Sequence, residues 1–212
     1  MPGRPPLAAV LLAAGRAERY GGGKLGESLG AGVTVVARTL LGLLALDAAT
    51  LDGVWLTGRE PELRRWLGPL GDDPRVHFVS VPAGLGQGDS LAAAARALPP
   101  GMDVVVVLGD QPFAAPAAVS AVLARRDEAA AVAAMADGRR LPPAFFAAAL
   151  RGALEGLGGD RGARDLLARL DAPAVTLDDG DWSLDLDRRE DLTALRLAAA
   201  RDPILASVEV GR

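Results

Sequence analysis

The stretch Asp103-Val104-Val105-Val106-Val107-Leu108 contains four consecutive β-branched residues, and the turn Gly109-Asp110-Gln111-Pro112 follows it directly. Valine packs well on a pleated surface, and a continuous apolar run leaves no face of the strand for water. The stretch therefore predicts a strand that is buried on both faces of a sheet.

Apolar runs of strand length alternate with segments of helical pattern on both sides of this stretch. Before Asp127, strands are expected at residues 7–13, 54–57, 75–81 and 103–108, and helices at 34–46, 60–67, 90–98 and 117–126. Thr34 is the expected N-cap of the first helix, and Pro61 the expected N1 residue of the second. This alternation predicts an α/β fold: a doubly wound, mostly parallel sheet with helices on both faces.

Beyond Asp127 the apolar periodicity is harder to interpret. Residues 129–135 fit a strand or a helix, and their context favours a strand. Further helices are expected at 143–154, 161–170 and 189–201, and strands at 174–177 and 182–186. No repeat or linker divides the chain. We therefore expect one domain over residues 1–202, followed by a tail, 203–212, for which the sequence predicts no structure.

The composition excludes several classes of protein. The 212 residues include no cysteine and one histidine, His77, which excludes disulfide frameworks, thiolate metal sites and multi-histidine zinc centres. A net charge of -4 argues against binding nucleic acid by phosphate neutralisation. No apolar run approaches the roughly 18 residues that cross a bilayer. Residues 7–14 resemble a short signal peptide but lead into Gly15-Arg16 rather than a cleavage site, so we expect a cytoplasmic protein.

A glycine-rich, cationic segment follows the first expected strand. Between Gly15 and Lys24 it holds four glycines, Arg16 and Arg19, and it ends on Lys24, the only lysine of the chain. Glycines let backbone N–H groups approach a phosphate, and cations neutralise its charge. The alternative, a flexible turn between strand and helix, does not require three cations. The segment therefore predicts a phosphate-binding loop.

Two general nucleotide-binding motifs fail in this segment. Gly21, Gly23 and Gly26 satisfy G-x-G-x-x-G, but the strand ends near Ala13, seven or more residues before the first of them. A dinucleotide-binding motif needs that glycine at the strand end. Leu25 stands where a Walker A loop requires Ser or Thr.

Four segments match, in order, the motifs of one known family. They are Leu12-Ala13-Ala14-Gly15 with Arg19, Gly21 and Lys24 (L-A-A-G-x-x-x-R-x-G-x-x-K), Leu108-Gly109-Asp110-Gln111-Pro112 (L-G-D-x-P), Gly159-Asp160-Arg161-Gly162-Ala163-Arg164 (G-D-x-G-A-R), and Leu184-Asp185-Leu186-Asp187-Arg188-Arg189-Glu190-Asp191-Leu192 (D-I-D-T-P-E-D-L, here with Arg-Arg for Thr-Pro). Over most of its length the chain thus resembles the nucleotidyltransferases of the molybdenum-cofactor branch. The resemblance implies a nucleotide-diphospho-sugar transferase-like fold and Mg²⁺-dependent transfer of CMP or GMP from CTP or GTP to the phosphate of molybdopterin.

Two carboxylates are candidate metal ligands. Asp110 follows an expected strand, at the carboxyl edge where open α/β sheets bind ligands. Mg²⁺ takes one or two carboxylates and completes its shell with water and phosphate oxygens. Asp187 is the expected second ligand and Asp185 the alternative, because residues two apart in an extended segment share a side. Each has a structural alternative. Asp110 could simply form the turn before Pro112, and Asp185 and Asp187 could be solvated acids beside the last helix or its cap.

The resemblance also implies residue roles on the nucleotide side. Residues expected to bind nucleotide are Leu12, Ala13, Ala14, Gly15, Arg16, Arg19, Lys24, Gly84 and Ser90, and those expected to be catalytic are Arg19, Lys24 and Asp110. In the loop 84–91, Asp89 or Ser90 could cap the following helix, and capping explains either residue as well as nucleotide binding does. The guanylyl branch usually has glycine where this chain has Ala14, and the added methyl group narrows the space for a purine, which favours CTP.

The acceptor side is less specified. The expected acceptor-binding residues are Gln111, Pro142, Arg161 and Arg164. The two arginines could instead pair with Asp160 and Asp165. Phe145 and Phe146 serve equally as pocket floor or core, and His77, in the middle of a strand, is expected to be structural.

Two other functions fit the same motifs. One is nucleotidyl transfer to a sugar phosphate or another phosphorylated alcohol. The other is a non-catalytic nucleotide-binding protein that loads cofactor onto a partner, such as a molybdoenzyme or its chaperone. Pyrophosphate release distinguishes a transferase from a loading protein.

Overall fold

The computed structural model describes residues 4–15, 20–82, 84–177 and 180–210. Its strands are β1 (Leu7–Leu12), β2 (Ser28–Gly30), β3 (Val33–Thr34), β4 (Gly53–Gly58), β5 (Val76–Ser80), β6 (Asp103–Leu108), β7 (Ala131–Ala136), β8 (Arg139–Phe146) and β9 (Ala174–Thr176). Its α-helices are α1 (Val35–Leu44), α2 (Glu60–Leu67), α3 (Gln87–Ala97), α4 (Ala117–Ala124), α5 (Arg151–Glu155), α6 (Ala163–Arg169), α7 (Asp191–Ala199) and α8 (Pro203–Val210). Short 3₁₀ turns lie at Lys24–Gly26, Gly68–Asp72, Ala148–Leu150 and Asp181–Ser183.

Seven strands form one sheet in the order β5-β4-β1-β6-β8-β7-β9. The strands β5, β4, β1 and β6 are parallel to one another, as are β7 and β9, whereas β8 runs antiparallel to both of its neighbours. The strands β2 and β3 form a separate antiparallel pair. The prediction of a mostly parallel sheet is confirmed.

Helices cover both faces of this sheet. Along β1, Leu7, Ala9 and Leu11 belong to one hydrophobic core, whereas Ala8 and Val10 belong to the other. The first core includes residues of α1, α2, α4, α7 and α8, and the second includes residues of α3, α5 and α6. All six residues of β1 are buried, because helices exclude water from both sides. This is the doubly wound arrangement that the continuous apolar runs predict.

The elements expected before Asp127 are all present, and β6 and α2 have the predicted bounds. The Thr34 side chain caps α1 by accepting a hydrogen bond from the backbone N–H of Ala37, 3.3 Å away. The ambiguous run 129–135 is a strand, β7, as its context favours.

The predicted helix at 143–154 is wrong. Its first part belongs to β8, where Phe145 and Phe146 pair with β6 on one side and β7 on the other. The register of β7 against β8 shifts beside Pro142 and Pro143, because proline offers no N–H to the ladder. Only α5, at Arg151–Glu155, is helical as predicted. Apolar periodicity alone does not separate a buried strand from a buried helix.

The predicted strand at 182–186 is also wrong. A 3₁₀ turn occupies Asp181–Ser183, and the chain then crosses the end of β6, where Leu186 donates its N–H to the carbonyl of Asp110 at 3.1 Å. Trp182 and Leu186 are buried, so core packing explains their apolar character. Beyond residue 202, for which the sequence predicts no structure, the chain forms α8, with Leu205 in the core. In the described part of the chain, no helix has both the length and the apolar character needed to cross a bilayer.

Candidate active site

A cavity of about 230 Å³ opens where β1, β4 and β6 end. Among its lining residues are eight of those that the sequence predicts for nucleotide binding or catalysis: Leu12, Ala13, Ala14, Gly15, Lys24, Gly84, Ser90 and Asp110. Arg16 and Arg19, which carry the same prediction, lie outside the described residues. The sheet therefore gathers at one edge residues from three separate loops.

Backbone hydrogen bonds continue past the strand ends and hold these loops together. Ala13 donates its N–H to the carbonyl of Thr57 at 3.1 Å, and Gly109 donates to the carbonyl of Leu12 at 2.9 Å. A Cβ atom at Gly109 would lie 3.0 Å from the same Leu12 oxygen. A glycine before Asp110 thus lets the β6 loop approach the β1 loop closely.

The glycines before Lys24 have a conformational role. Gly21, Gly22 and Gly23 have φ values of +90°, +95° and +68°, a backbone region that residues other than glycine rarely adopt. An added Cβ at any of them meets no described atom within 4 Å, so conformation rather than crowding requires glycine here. This run turns the chain into the 3₁₀ turn that begins at Lys24.

Lys24 lies between the two predicted metal ligands. Its Nζ is 2.6 Å from Oδ2 of Asp110 and 3.4 Å from Oδ1 of Asp187. The Lys24 side chain is 10% exposed, whereas those of Asp110 and Asp187 are 21% and 49% exposed. The ammonium group is therefore buried beneath carboxylates that solvent can still reach.

The electrostatics of this cluster keep Lys24 charged. Burial favours the neutral amine, but attraction to Asp110 and Asp187 outweighs it, so the pKa of Lys24 is raised. Asp185 lies near the same charges, and burial, together with repulsion from Asp187 and Asp110, raises the pKa of Asp185. Of the two acids, Asp187 is the one that contacts Lys24.

Asp187 is held in place by a turn that departs from the family pattern in sequence. Asp191 accepts hydrogen bonds from the N–H groups of Asp187 and Arg188, at 3.0 and 2.6 Å. The guanidinium of Arg189 lies over the Tyr20 ring, 5.1 Å from its centre. The Arg188-Arg189 pair therefore fits a defined turn, and Arg189 packs that turn against Tyr20 of the glycine-rich segment.

Helix α1 supports the loop that follows β6. Arg38 is 3% exposed and forms an ion pair with Asp202, and its Nη1 also donates to the carbonyls of Pro112 and Ala115 at 3.1 and 3.2 Å. The next residue, Thr39, donates its hydroxyl to the carbonyl of Gly109 at 3.2 Å. Arg38 and Thr39 thus fix the backbone on both sides of Asp110. Sequence reasoning missed both, because nothing local marks a helix residue that contacts a loop about 70 positions away.

The loop before α3 packs directly on the G-D-R-G-A-R segment. Gly88 donates its N–H to the carbonyl of Gly159 at 2.9 Å. A Cβ at Gly86 would lie 2.0 Å from that carbonyl oxygen, and a Cβ at Gly88 would lie 2.3 Å from the oxygen of Arg161. Since only glycine permits these contacts, two motifs that are separate in sequence pack directly against each other, and residues of the first, Gly84, Gln87 and Ser90, line the cavity.

Helix α3 begins three residues earlier than predicted, which corrects its capping. Gly86 is the N-cap, so neither Asp89 nor Ser90 occupies that position. Asp89, in the first turn, accepts the Gly86 N–H at 3.2 Å, and the Ser90 hydroxyl donates to the Gly86 carbonyl at 3.1 Å. Both polar side chains therefore stabilise the start of the helix, and Ser90 also lines the cavity.

The predicted acceptor-binding residues differ in their surroundings. Gln111 is 3% exposed, and its Oε1 has no hydrogen-bond partner among the described residues. Pro142 is buried in β8, two positions before Ala144, which pairs with Val106 of β6. Arg161 and Arg164 are exposed and make no ion pair within the described ranges, so they do not pair with Asp160 or Asp165. None of the four lines the cavity described above.

Several other residues line the cavity. Gly22 and Gly23 belong to the predicted phosphate-binding loop and Gln87 to the loop 84–91, whereas no individual role was predicted for Leu25, Arg59, Glu62, Leu63, Trp66, Val81, Pro82 and Leu108. Arg59 directly follows β4, so attention to every expected strand end would have found it. Trp66 is different: its indole covers Gly26, where a Cβ would lie 2.3 Å from the ring nitrogen. Only the packing of α2 reveals that contact.

Asp110 and Asp187 fit a magnesium or manganese ion. Both carboxylates already face a common cation, the Lys24 ammonium. Within the described residues, no group of three or more histidine, cysteine or acidic side chains could hold a metal. Two carboxylates suffice for Mg²⁺, which usually takes one or two and shares the rest of its shell between water and substrate phosphates.

Such a site at the carboxyl edge of a doubly wound sheet places the chain among the α/β proteins that bind ligands at that edge. Residues 9–174 match the model of the MobA-like NTP transferase domain, so the chain belongs to that family and is a nucleotidyltransferase.

Similar proteins span nearly the same length. The purine catabolism protein PucB of Bacillus subtilis is 32% identical over 211 residues, covering 92% of this chain and 98% of that protein. The structure of Rv0371c from Mycobacterium tuberculosis has a TM-score of 0.76 at 26% identity, covering 92% of this chain and 99% of the other. A second structure, Rv0371c in complex with manganese, has a TM-score of 0.71 at 24% identity, covering 91% and 99%.

Proposed function

We propose that the protein transfers a nucleotidyl group, CMP in preference to GMP, from the triphosphate to the phosphate of molybdopterin and releases pyrophosphate. The observation that carries this proposal is the contact of Lys24 with Asp110 and Asp187 in the cavity formed by the predicted nucleotide loops. A cation and two potential metal ligands at one point suit a triphosphate, whose reaction requires charge neutralisation.

The acceptor phosphate is already ionised at neutral pH, so the transfer needs no general base. One of its oxygens forms a bond to the α-phosphorus while the bond to the β,γ-pyrophosphate breaks. The chain therefore has to position the two substrates and neutralise their charge. Lys24 binds the triphosphate and the leaving pyrophosphate, with Arg19 as its expected partner.

Asp110 and Asp187 would hold a magnesium ion. When bound, that ion would supply a Lewis acid that stabilises negative charge on the phosphate oxygens. The manganese complex of Rv0371c supports a divalent cation at this type of fold. Arg38 and Thr39 keep the Asp110 backbone in position through the hydrogen bonds described above.

On the acceptor side, Arg161 and Arg164 are exposed and form no ion pair with any described residue, in the segment that packs against Gly86 and Gly88. Arginine binds phosphate in a bidentate manner, and the same groups suit the dithiolene of molybdopterin. Gln111 and Pro142 remain the other expected acceptor-binding residues, and because both are buried, they would reach the acceptor only if its binding opened the structure beside them. A molybdoenzyme or its chaperone would receive the product.

The test is a nucleotide panel with purified molybdopterin and Mg²⁺, scored by pyrophosphate formation. We expect pyrophosphate release with CTP, dependent on the acceptor and abolished by EDTA. Release with a sugar phosphate in place of molybdopterin would reassign the acceptor. Nucleotide binding without any release would contradict a transferase and favour a loading protein.

Nucleotide preference provides a separate prediction. We expect the parent protein to turn over CTP faster than GTP and Ala14→Gly to reduce that ratio, because Ala14 lines the cavity and glycine in its place would leave more room for a purine. Exclusion by bulk alone is worth about 1–3 kcal/mol, so GTP should remain a poor substrate rather than none. The measurement is kcat/KM for both nucleotides.

The matched control is Ala13→Gly, which deletes the neighbouring methyl group, 3.4 Å from a Cβ built at Gly109. It should affect both nucleotides to the same extent. A parent preference for GTP of tenfold or more would show that Ala14 does not set the base.

A further inference from the structure

The position of Lys24 bears on the order in which the metal and the nucleotide bind. Its ammonium contacts Oδ2 of Asp110 at 2.6 Å and Oδ1 of Asp187 at 3.4 Å. A magnesium or manganese ion held by these carboxylates would bond to oxygens at about 2.0–2.2 Å. The ion and the ammonium thus compete for the same acidic groups.

Two positive charges cannot share that place without a counter-charge. The ammonium is buried at 10% exposure, where water screens repulsion poorly. Asp110 and Asp187 carry two negative charges, which balance either the lysine with one to spare or a divalent ion in full. Asp185 lies near both, but it is not one of the carboxylates that contact the ammonium, so it does not replace the contacts that the ion would take. Metal entry therefore requires the Lys24 side chain to leave the carboxylates.

The structure also shows where the side chain can go. Lys24 and the neighbouring Gly22 and Gly23 line the cavity that is open to nucleotide. A lysine side chain is long and flexible, and an ammonium released into this cavity needs a new anion. The triphosphate supplies that anion.

We propose that Lys24 occupies the metal position when nucleotide is absent and is displaced onto the triphosphate when the metal binds. This inference rests on the proposed function and adds a thermodynamic coupling to it. Without nucleotide, the metal must expel an ammonium group that has no other partner, so its affinity is low. With nucleotide, the expelled group is paired again, and each ligand strengthens the binding of the other.

The first test measures Mn²⁺ affinity by electron paramagnetic resonance, with no nucleotide present. We expect Lys24→Met, which keeps an unbranched side chain only one atom shorter but removes its charge, to bind Mn²⁺ at least tenfold more tightly than the parent. The control is Arg126→Met, which makes the same change in net charge. Arg126 lies beside Asp127, whose partner Arg4 precedes β1, and thus at the opposite edge of the sheet. The Arg126→Met variant should therefore bind Mn²⁺ with an affinity within twofold of the parent.

The second test has its main readout on the parent protein, so that readout does not depend on the folding of a variant. Because Lys24 is the only lysine in the chain, biosynthetic labelling with ¹³C-lysine gives one side-chain NMR signal. We expect Mg²⁺ alone to shift the Lys24 Cε signal, with the same dissociation constant that Mg²⁺ shows in competition with Mn²⁺. Asp187→Asn, which removes one of the two carboxylates, should weaken that titration at least tenfold.

The proposal is overturned if Lys24→Met binds Mn²⁺ no more tightly than the parent, or if Mg²⁺ binds without moving the Lys24 signal. These outcomes are separable from the proposed function. Normal pyrophosphate release with an unmoved lysine would refute the displacement alone, whereas a displaced lysine without pyrophosphate release from the nucleotide in the presence of any acceptor would refute the transferase.

Discussion

Lys24→Ala is expected to lower turnover about 10²–10³-fold, the usual cost of removing one preorganised charge from a reacting oxyanion. In the parent protein, the Lys24 ammonium contacts two carboxylates, at 2.6 Å from Asp110 and 3.4 Å from Asp187. The measurement is steady-state pyrophosphate release at saturating nucleotide and acceptor. Circular dichroism should show an intact fold, since Lys24 lies in a 3₁₀ turn at the edge of the cavity.

The control for this prediction is Arg126→Ala, which removes a cation from the opposite edge of the sheet and should keep parental turnover. Near-normal activity of Lys24→Ala would contradict the assignment of the triphosphate to this cavity. Loss of activity in both variants would instead indicate an effect of net charge.

Arg38→Met is expected to destabilise the protein by about 3–5 kcal/mol, the cost of breaking a buried ion pair and leaving one charge without a partner. Arg38 and Asp202 have side chains only 4% and 5% exposed. The substitution also leaves the carbonyls of Pro112 and Ala115 without their donor. The measurement is the free energy of unfolding from urea titration.

Two further variants identify the cause. Arg4→Met removes one member of an exposed ion pair, with side chains 63% and 67% exposed, and should cost less than about 1 kcal/mol. The double variant Arg38→Met, Asp202→Leu removes both buried charges and should recover part of the lost stability. A cost for Arg38→Met as small as that for Arg4→Met would show that the pair does not stabilise the fold.

The sequence predicted best where a single local pattern decides the outcome. The valine run defined β6 with its bounds, and Asp110 follows it directly at the edge where the cavity opens. Prediction failed where apolar residues serve two structures equally well. Phe145 and Phe146 suit a helix by periodicity, but they pair as a strand between β6 and β7, a choice that depends on neighbours far away in sequence.

The amino-acid sequence by itself determined the alternation of strands and helices, the glycine-rich turn before Lys24 and the carboxylate after β6. Each follows from the periodicity of side chains and the backbone freedom of glycine, which act within a few residues. Only the tertiary structure decided that Lys24 contacts Asp187, 163 positions away, that Arg38 supports the Asp110 loop, and that Gly86 and Gly88 pack on the G-D-R-G-A-R segment. Those contacts depend on the order of strands in the sheet and on close packing between its loops, and no local pattern of residues specifies either one.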